Sequence, residues 1–355
     1  MKKVFLVFLF PLLSNAVFAQ LRADAEKLVD EGIAYHDKGD YYGAIAKYTK
    51  ALNLDKNNLL ALAEKAFSLL SLQKYDESIL CCQKAIETHF GEKTLKNVYV
   101  TYGNDLDLLK KSDQAIDIYN EGLKQFPDHY QLNFNKGITQ VGLKKYDEAL
   151  LSFQNSVTQN PNHSSSHNAI GRLLNIEDKR IPSLLAYYRF LVIEPQGQRA
   201  KENLESVQKI MKGNIKQNGV NGITINIDPK MLGDTAAISE PKENNFTPTD
   251  LILSLDAALD LDKINSSKTE VEQFIRKFKT ICASLKETKN NNYGFYWDYY
   301  VPYFTEMADK KLINPFAYII FLSSGDADIS AWFKSNQKEI DRFLEWSKNF
   351  SWKTN

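Results

Sequence analysis

The chain has 355 residues, enough for two or three domains with substantial cores. Lysine plus arginine equals aspartate plus glutamate at 44 each, which removes the electrostatic case for nucleic acid or a membrane surface as partner. Three cysteines, Cys81, Cys82 and Cys282, do not make a disulfide framework.

Residues 1–19 read as a targeting segment. Lys2 and Lys3 precede an apolar run from Val4 to Leu13, and Val17 with Ala19 forms a small-residue cleavage site. The run is shorter than the roughly 20 residues of a membrane span. The expectation is a signal peptide cleaved after Ala19 and a product that is exported, periplasmic or secreted, and does not span the membrane.

From about Ala25 to Gly197 one small-residue slot recurs as Gly32, Ala66, Gly103, Gly137 and Gly171, in steps of 34, 37, 34 and 34 residues. Twelve residues on stand Ala44, Ser78, Ala115, Ala149 and Ser183; sixteen on stand Tyr48, Cys82, Tyr119, Phe153 and Tyr187. Prolines at 127, 161 and 195 close the last three passes. Small residues let paired helices approach, the aromatic column fills the space between hairpins, and proline stops the second helix. Tyr146, Ala149, Leu150, Phe153 and Val157 keep helical periodicity.

These columns resemble the tetratricopeptide repeat (TPR), a helix-turn-helix unit of 34 residues with small, aromatic and terminal-proline positions. The resemblance covers roughly half the chain. It implies an all-α solenoid of five hairpins, near 25–58, 59–92, 96–129, 130–163 and 164–197, with residues 198–212 as a capping helix. The extra residues near His89 to Lys93 lengthen one loop. The slot that usually holds Trp carries Leu28, Leu62, Tyr99, Asn133 and His167, so looser first helices are expected in the last two repeats.

The resemblance also implies function. First helices line a concave groove that suits peptide segments. The expected partner-binding residues are Phe67, Phe134 and Ile138 as apolar anchors, with Asn104, Asn135 and Arg172 as polar contacts. The subclass that grips chaperone C-terminal carboxylates needs three cations, where this chain has Val100, Ser165 and Ala169, so no chaperone-tail recognition is expected.

Residues 213–245 read as a linker with a short strand, Ile223 to Ile227, and Asp234-Thr235-Ala236 matches a short O-glycosylation signal of exported Bacteroidota proteins. Residues 246–355 read as a second helical domain, resembling the tail of exported TPR proteins of Bacteroidota. Thr247-Pro248 offers a helix start, and Val271 to Leu285 an amphipathic helix. Tyr293 to Phe304 concentrates aromatics that fill a helical bundle or, in the alternative reading, bind a glycan or the cell envelope.

Signals of catalysis are sparse. There is no nucleophile elbow, zinc-protease motif, phosphate loop or paired C-x-x-C. His163 and His167 have metal-holding spacing, but a helix start falls between them. The sequence therefore predicts an exported, non-enzymatic scaffold that binds a protein or peptide segment, with no cofactor and no metal.

Overall fold

A computed structural model describes residues 9–213, 215–218, 222–225 and 242–352. The described residues are mostly helical and fall into two compact units, divided between Ser152 and Phe153. The proposed glycosylation triplet and residues 1–8 of the targeting segment lie outside the described residues.

The first unit holds α1 (Leu9–His36), α2 (Tyr41–Leu54), α3 (Leu59–Ser71), α4 (Tyr75–Thr88), α5 (Leu95–Leu108), α6 (Ser112–Gln125), α7 (Tyr130–Gly142) and the start of α8 (Tyr146–Gln159). Helix α1 runs through the expected cleavage position. The repeat columns have a direct packing meaning. A Cβ built on Gly32 would lie 2.4 Å from the Tyr48 ring, and one on Gly103 only 2.2 Å from the Tyr119 ring. The aromatic sixteen residues on therefore lies flat on the slot of its own hairpin, which is tighter than the inter-hairpin filling expected from sequence. Where the residue twelve on is serine, its hydroxyl donates to the slot carbonyl, as Ser78 Oγ does to Ala66 O at 2.9 Å.

A further column lies in the backbone. Seven residues after each slot stand Gly39, Gln73, Lys110, Lys144 and Asp178, all with φ between 56° and 79°. Each ends the first helix of its hairpin with a paired bond. Lys110 N donates to Asp107 O at 2.9 Å and Lys111 N to Leu106 O at 2.8 Å, a Schellman closure.

The second unit holds the end of α8, then α9 (Ser164–Ile176), α10 (Arg180–Ile193) and α11 (Gln198–Lys212). Six more helices follow: α12 (Thr247–Ala258), α13 (Glu270–Thr288), α14 (Phe295–Asp309), α15 (Ile313–Ile320), α16 (Ala327–Ser335) and α17 (Gln337–Asn349). The expected strand is β2 (Gly222–Ile225), paired antiparallel with β1 (Ile215–Asn218), and both contact α12; Asn226 and Ile227 lie outside the described residues. A two-residue parallel bridge joins β3 (Lys242–Glu243) to β4 (Asn292–Tyr293). Helix α13 starts on a capping box, Thr269 with Glu272, while α12 starts with the Asn245 carboxamide accepting from Thr247 N at 3.1 Å.

The centre of this unit is α10. Every residue from Ile181 to Val192 is buried, so the helix has no wet face. It packs against α9 and α11 and also against α12, α14 and α15. The Tyr188 ring meets Phe274, Phe278, Phe304 and Phe316 edge to face at 5.3 to 5.8 Å, and its hydroxyl donates to Met211 Sδ at 3.1 Å. Arg180 ties the start of α10 to its surroundings through Asp250 (2.8 Å), Ser254 (2.9 Å) and the Ile210 carbonyl (3.0 Å). Sequence placed a linker between the last hairpin and the C-terminal helices; in the structure the two share one core, because α10 is buried on all sides.

Candidate groove on the first helices

The first helices of the second and third hairpins frame a cleft of about 560 Å³ in the first unit. Its apolar lining is Leu60, Ala63 and Phe67 from α3 and Val100 from α5. Its polar lining includes Glu64, Lys93, Lys96, Asn97 and Gln131. Leu60 and Phe67 are 42% and 47% exposed, high values for residues of their size on a packed helix, because they stand on the open side of the hairpin. The Phe67 ring is braced by His36, stacked at 4.9 Å, and His36 Nδ1 is 2.7 Å from Ser68 Oγ. Burial holds the Glu64 carboxyl above its ordinary range, an effect the neighbouring His36 opposes. The positions six and three before each slot and one after it face inward in a TPR array; Leu60, Ala63, Phe67, Asn97, Val100 and Gln131 occupy such positions and line the cleft. Register did not single out the lysines, since Lys93 belongs to the lengthened loop and Lys96 sits one step from an inward position.

The six expected contact residues have different surroundings. Phe67 lines the cleft, while Ile138 is 46% exposed and Phe134 half-buried on α7. Asn104 and Asn135 bond each other: Asn104 Oδ1 accepts from Asn135 Nδ2 at 2.9 Å and from the Tyr119 hydroxyl at 2.8 Å. This bonding pins α5 to α6 and α7 and leaves Asn104 Oδ1 engaged. Arg172 is exposed in the second unit, in a polar recess of about 340 Å³ with Asn168, Asn175 and Glu202.

One expectation is corrected. The first helix of the fifth repeat is not loosely packed. His167 is fully buried, with Nδ1 2.7 Å from the Tyr300 hydroxyl and Nε2 3.0 Å from the Pro161 carbonyl. The Tyr300 ring of α14 meets the imidazole edge-on at 5.6 Å. Both ring nitrogens are engaged and burial pushes the ring well below the ordinary histidine range, which suits a neutral structural imidazole. Most of the aromatic run fills the helical bundle: Tyr296, Trp297, Tyr299, Tyr300, Tyr303 and Phe304 are buried, while Tyr293 is 53% exposed. The Tyr296 hydroxyl accepts from Gln154 Nε2 at 3.0 Å. Tyr299 donates to the Val157 carbonyl at 2.7 Å.

Among the described residues no group of three or more His, Cys, Asp and Glu is placed to hold a metal ion, and no helix is long and apolar enough to cross a membrane. Cys81, Cys82 and Cys282 are free thiols, and burial raises the pKa of each.

Residues 34–158 match the family model described as Psidin, N-terminal TPR repeats region. The repeats are tetratricopeptide repeats. The Protein STIP1 homolog of Dictyostelium discoideum is 29% identical over 140 residues, which span 38% of this chain and 25% of the relative. The Hsp70-Hsp90 organizing protein of Triticum aestivum is 27% identical over 173 residues, 39% of this chain and 30% of that protein. The chain thus spans under a third of the length of the curated relatives it matches. Among solved structures, PilF of Pseudomonas aeruginosa superposes with a TM-score of 0.49 at 22% identity, covering 54% of this chain and 85% of PilF.

Proposed function

We propose that the chain is an exported, non-catalytic interaction module that holds a segment of a partner polypeptide on the first-helix face of its TPR hairpins. The observation that carries this is the cleft between α3 and α5, where Leu60 and Phe67 stand exposed on a braced, preformed surface. Preformed apolar lining lowers the ordering cost of binding. Export is read from Lys2, Lys3, the apolar run to Leu13 and the Val17, Ala19 pair, with the periplasm or the exterior as destination.

One relative is named for organizing Hsp70 and Hsp90. A grip on a terminal carboxylate is not what this cleft offers, since Val100 stands where that subclass needs a cation and Asn104 and Asn135 bond each other. The test is site-specific photo-crosslinking in the native cell envelope. A benzophenone residue at Asn97, in the cleft, should capture one distinct polypeptide, while the same residue at the exposed Asp113 of α6 should not. Equal capture at both positions, or none at Asn97, removes the proposal.

A further inference from the structure

The single irregular step in the TPR register falls at the cleft. Slots advance by 34 residues except between Ala66 and Gly103, where the step is 37. The extra residues lie between the end of α4 at Thr88 and the start of α5 at Leu95, and this connection brings Lys93 to the cleft. Lys96, in the first turn of α5, is a second lysine in the same lining. Both are exposed, and among the described residues neither has an ion pair. The acidic residue in the lining is the half-buried Glu64. The cleft thus combines an apolar floor of Leu60, Ala63, Phe67 and Val100 with two lysines against one carboxylate.

We propose that this cleft selects an acidic-apolar segment: an Asp or Glu side chain beside a bulky apolar residue, within the partner's chain and not at its end. The carboxylate meets Lys93 and Lys96 while the apolar side chain packs on Phe67 and Val100. Lysine acts as a point charge on a flexible stem, so it accepts a side-chain carboxylate without the fork geometry that a bidentate grip requires. The apolar neighbour supplies contact area, and charge supplies selection and rate of encounter. The inference rests on the cleft being the partner site.

The full chain is panned against a random-peptide phage library, and the most enriched peptide is synthesised with a fluorescein label. Enriched sequences should pair Asp or Glu with Phe, Leu, Trp or Met. The labelled peptide should lose about ten-fold in affinity on Lys93→Glu/Lys96→Glu and weaken as salt rises. The same double variant, panned afresh, should select Lys or Arg in place of the acid. Far-UV circular dichroism separates loss of binding from loss of fold, which two exposed, unpaired lysines do not threaten. Peptides that bind without an acidic bias, or that bind the double variant equally, overturn the charge assignment and leave the cleft a binding site. Failure to enrich any peptide on the unaltered chain overturns the binding site itself.

Discussion

Asp105 is a buried carboxyl with an unmet electrostatic demand in the first unit. It is fully buried on α5, and both carboxylate oxygens lack a hydrogen-bond donor. The groups around it are Ser78, Asp76, Cys81 and Cys82 from α4 and Tyr119 from α6; none is a cation. The Ser78 hydroxyl donates to the Ala66 carbonyl. Burial pushes Asp105 up to about 7, with Ser78 opposing the rise and Asp76 adding to it. Folded protein keeps a proton that the unfolded chain gives up near pH 4, so the contribution of Asp105 to stability is greatest at low pH and falls as pH climbs to about 7, then levels. The fall is at most about 4 kcal/mol at 1.36 kcal/mol per pKa unit. Asp105→Asn should flatten that dependence and raise the melting temperature at pH 8 above that of the parent; thermal melts from pH 5 to pH 8 decide it, and parallel curves would refute the argument.

At the scale of single elements, the hairpin turns show what residue types conceal. The left-handed position after each first helix is glycine only at Gly39; elsewhere it is Gln73, Lys110, Lys144 and Asp178. A non-glycine residue there carries strain of roughly 1 kcal/mol. Lys110→Gly and Lys144→Gly should each stabilise the first unit by a few tenths to about 1 kcal/mol, read as a shifted urea midpoint with unchanged slope. The hairpins themselves were legible in sequence because small, aromatic and proline columns each answer a packing need that repeats. The turn column was not, since it is written in backbone angles and four residue types fill it. His167 misled for a related reason: its partner, Tyr300, comes from a helix with no repeat to announce it. In the cleft, register found Phe67 and Val100 but passed over Lys93, which lies in the loop where the register breaks.

For the molecule as a whole, the division at residues 152 and 153 was not visible in composition, which changes near Gly213. A signal did exist. Ile181 to Val192 is polar only at Ser183 and Arg189 and carries apolar or aromatic residues all round, and such a helix needs neighbours on every side, more than one hairpin and a cap supply. A chain truncated after Gly213 strips α12, α14 and α15 from α10 and uncovers Tyr188 and its neighbours, at about 1.5 to 3 kcal/mol for each large side chain. Hydrogen exchange on that fragment should show protection lost over α9 to α11 and kept over α3 to α6. Retained protection in α10 would show that its C-terminal packing is dispensable. The confinement of α10 also sets where the gene can change copy number. Helices α3 to α6 pack against neighbouring hairpins of their own kind, so a tandem duplication of 34 residues there hands the newcomer a ready set of partners. Duplicating α9 and α10 would demand Phe274, Phe278, Phe304 and Phe316 a second time, so lineages of this protein should gain or lose hairpins upstream of Ser164 and hold the last one fixed.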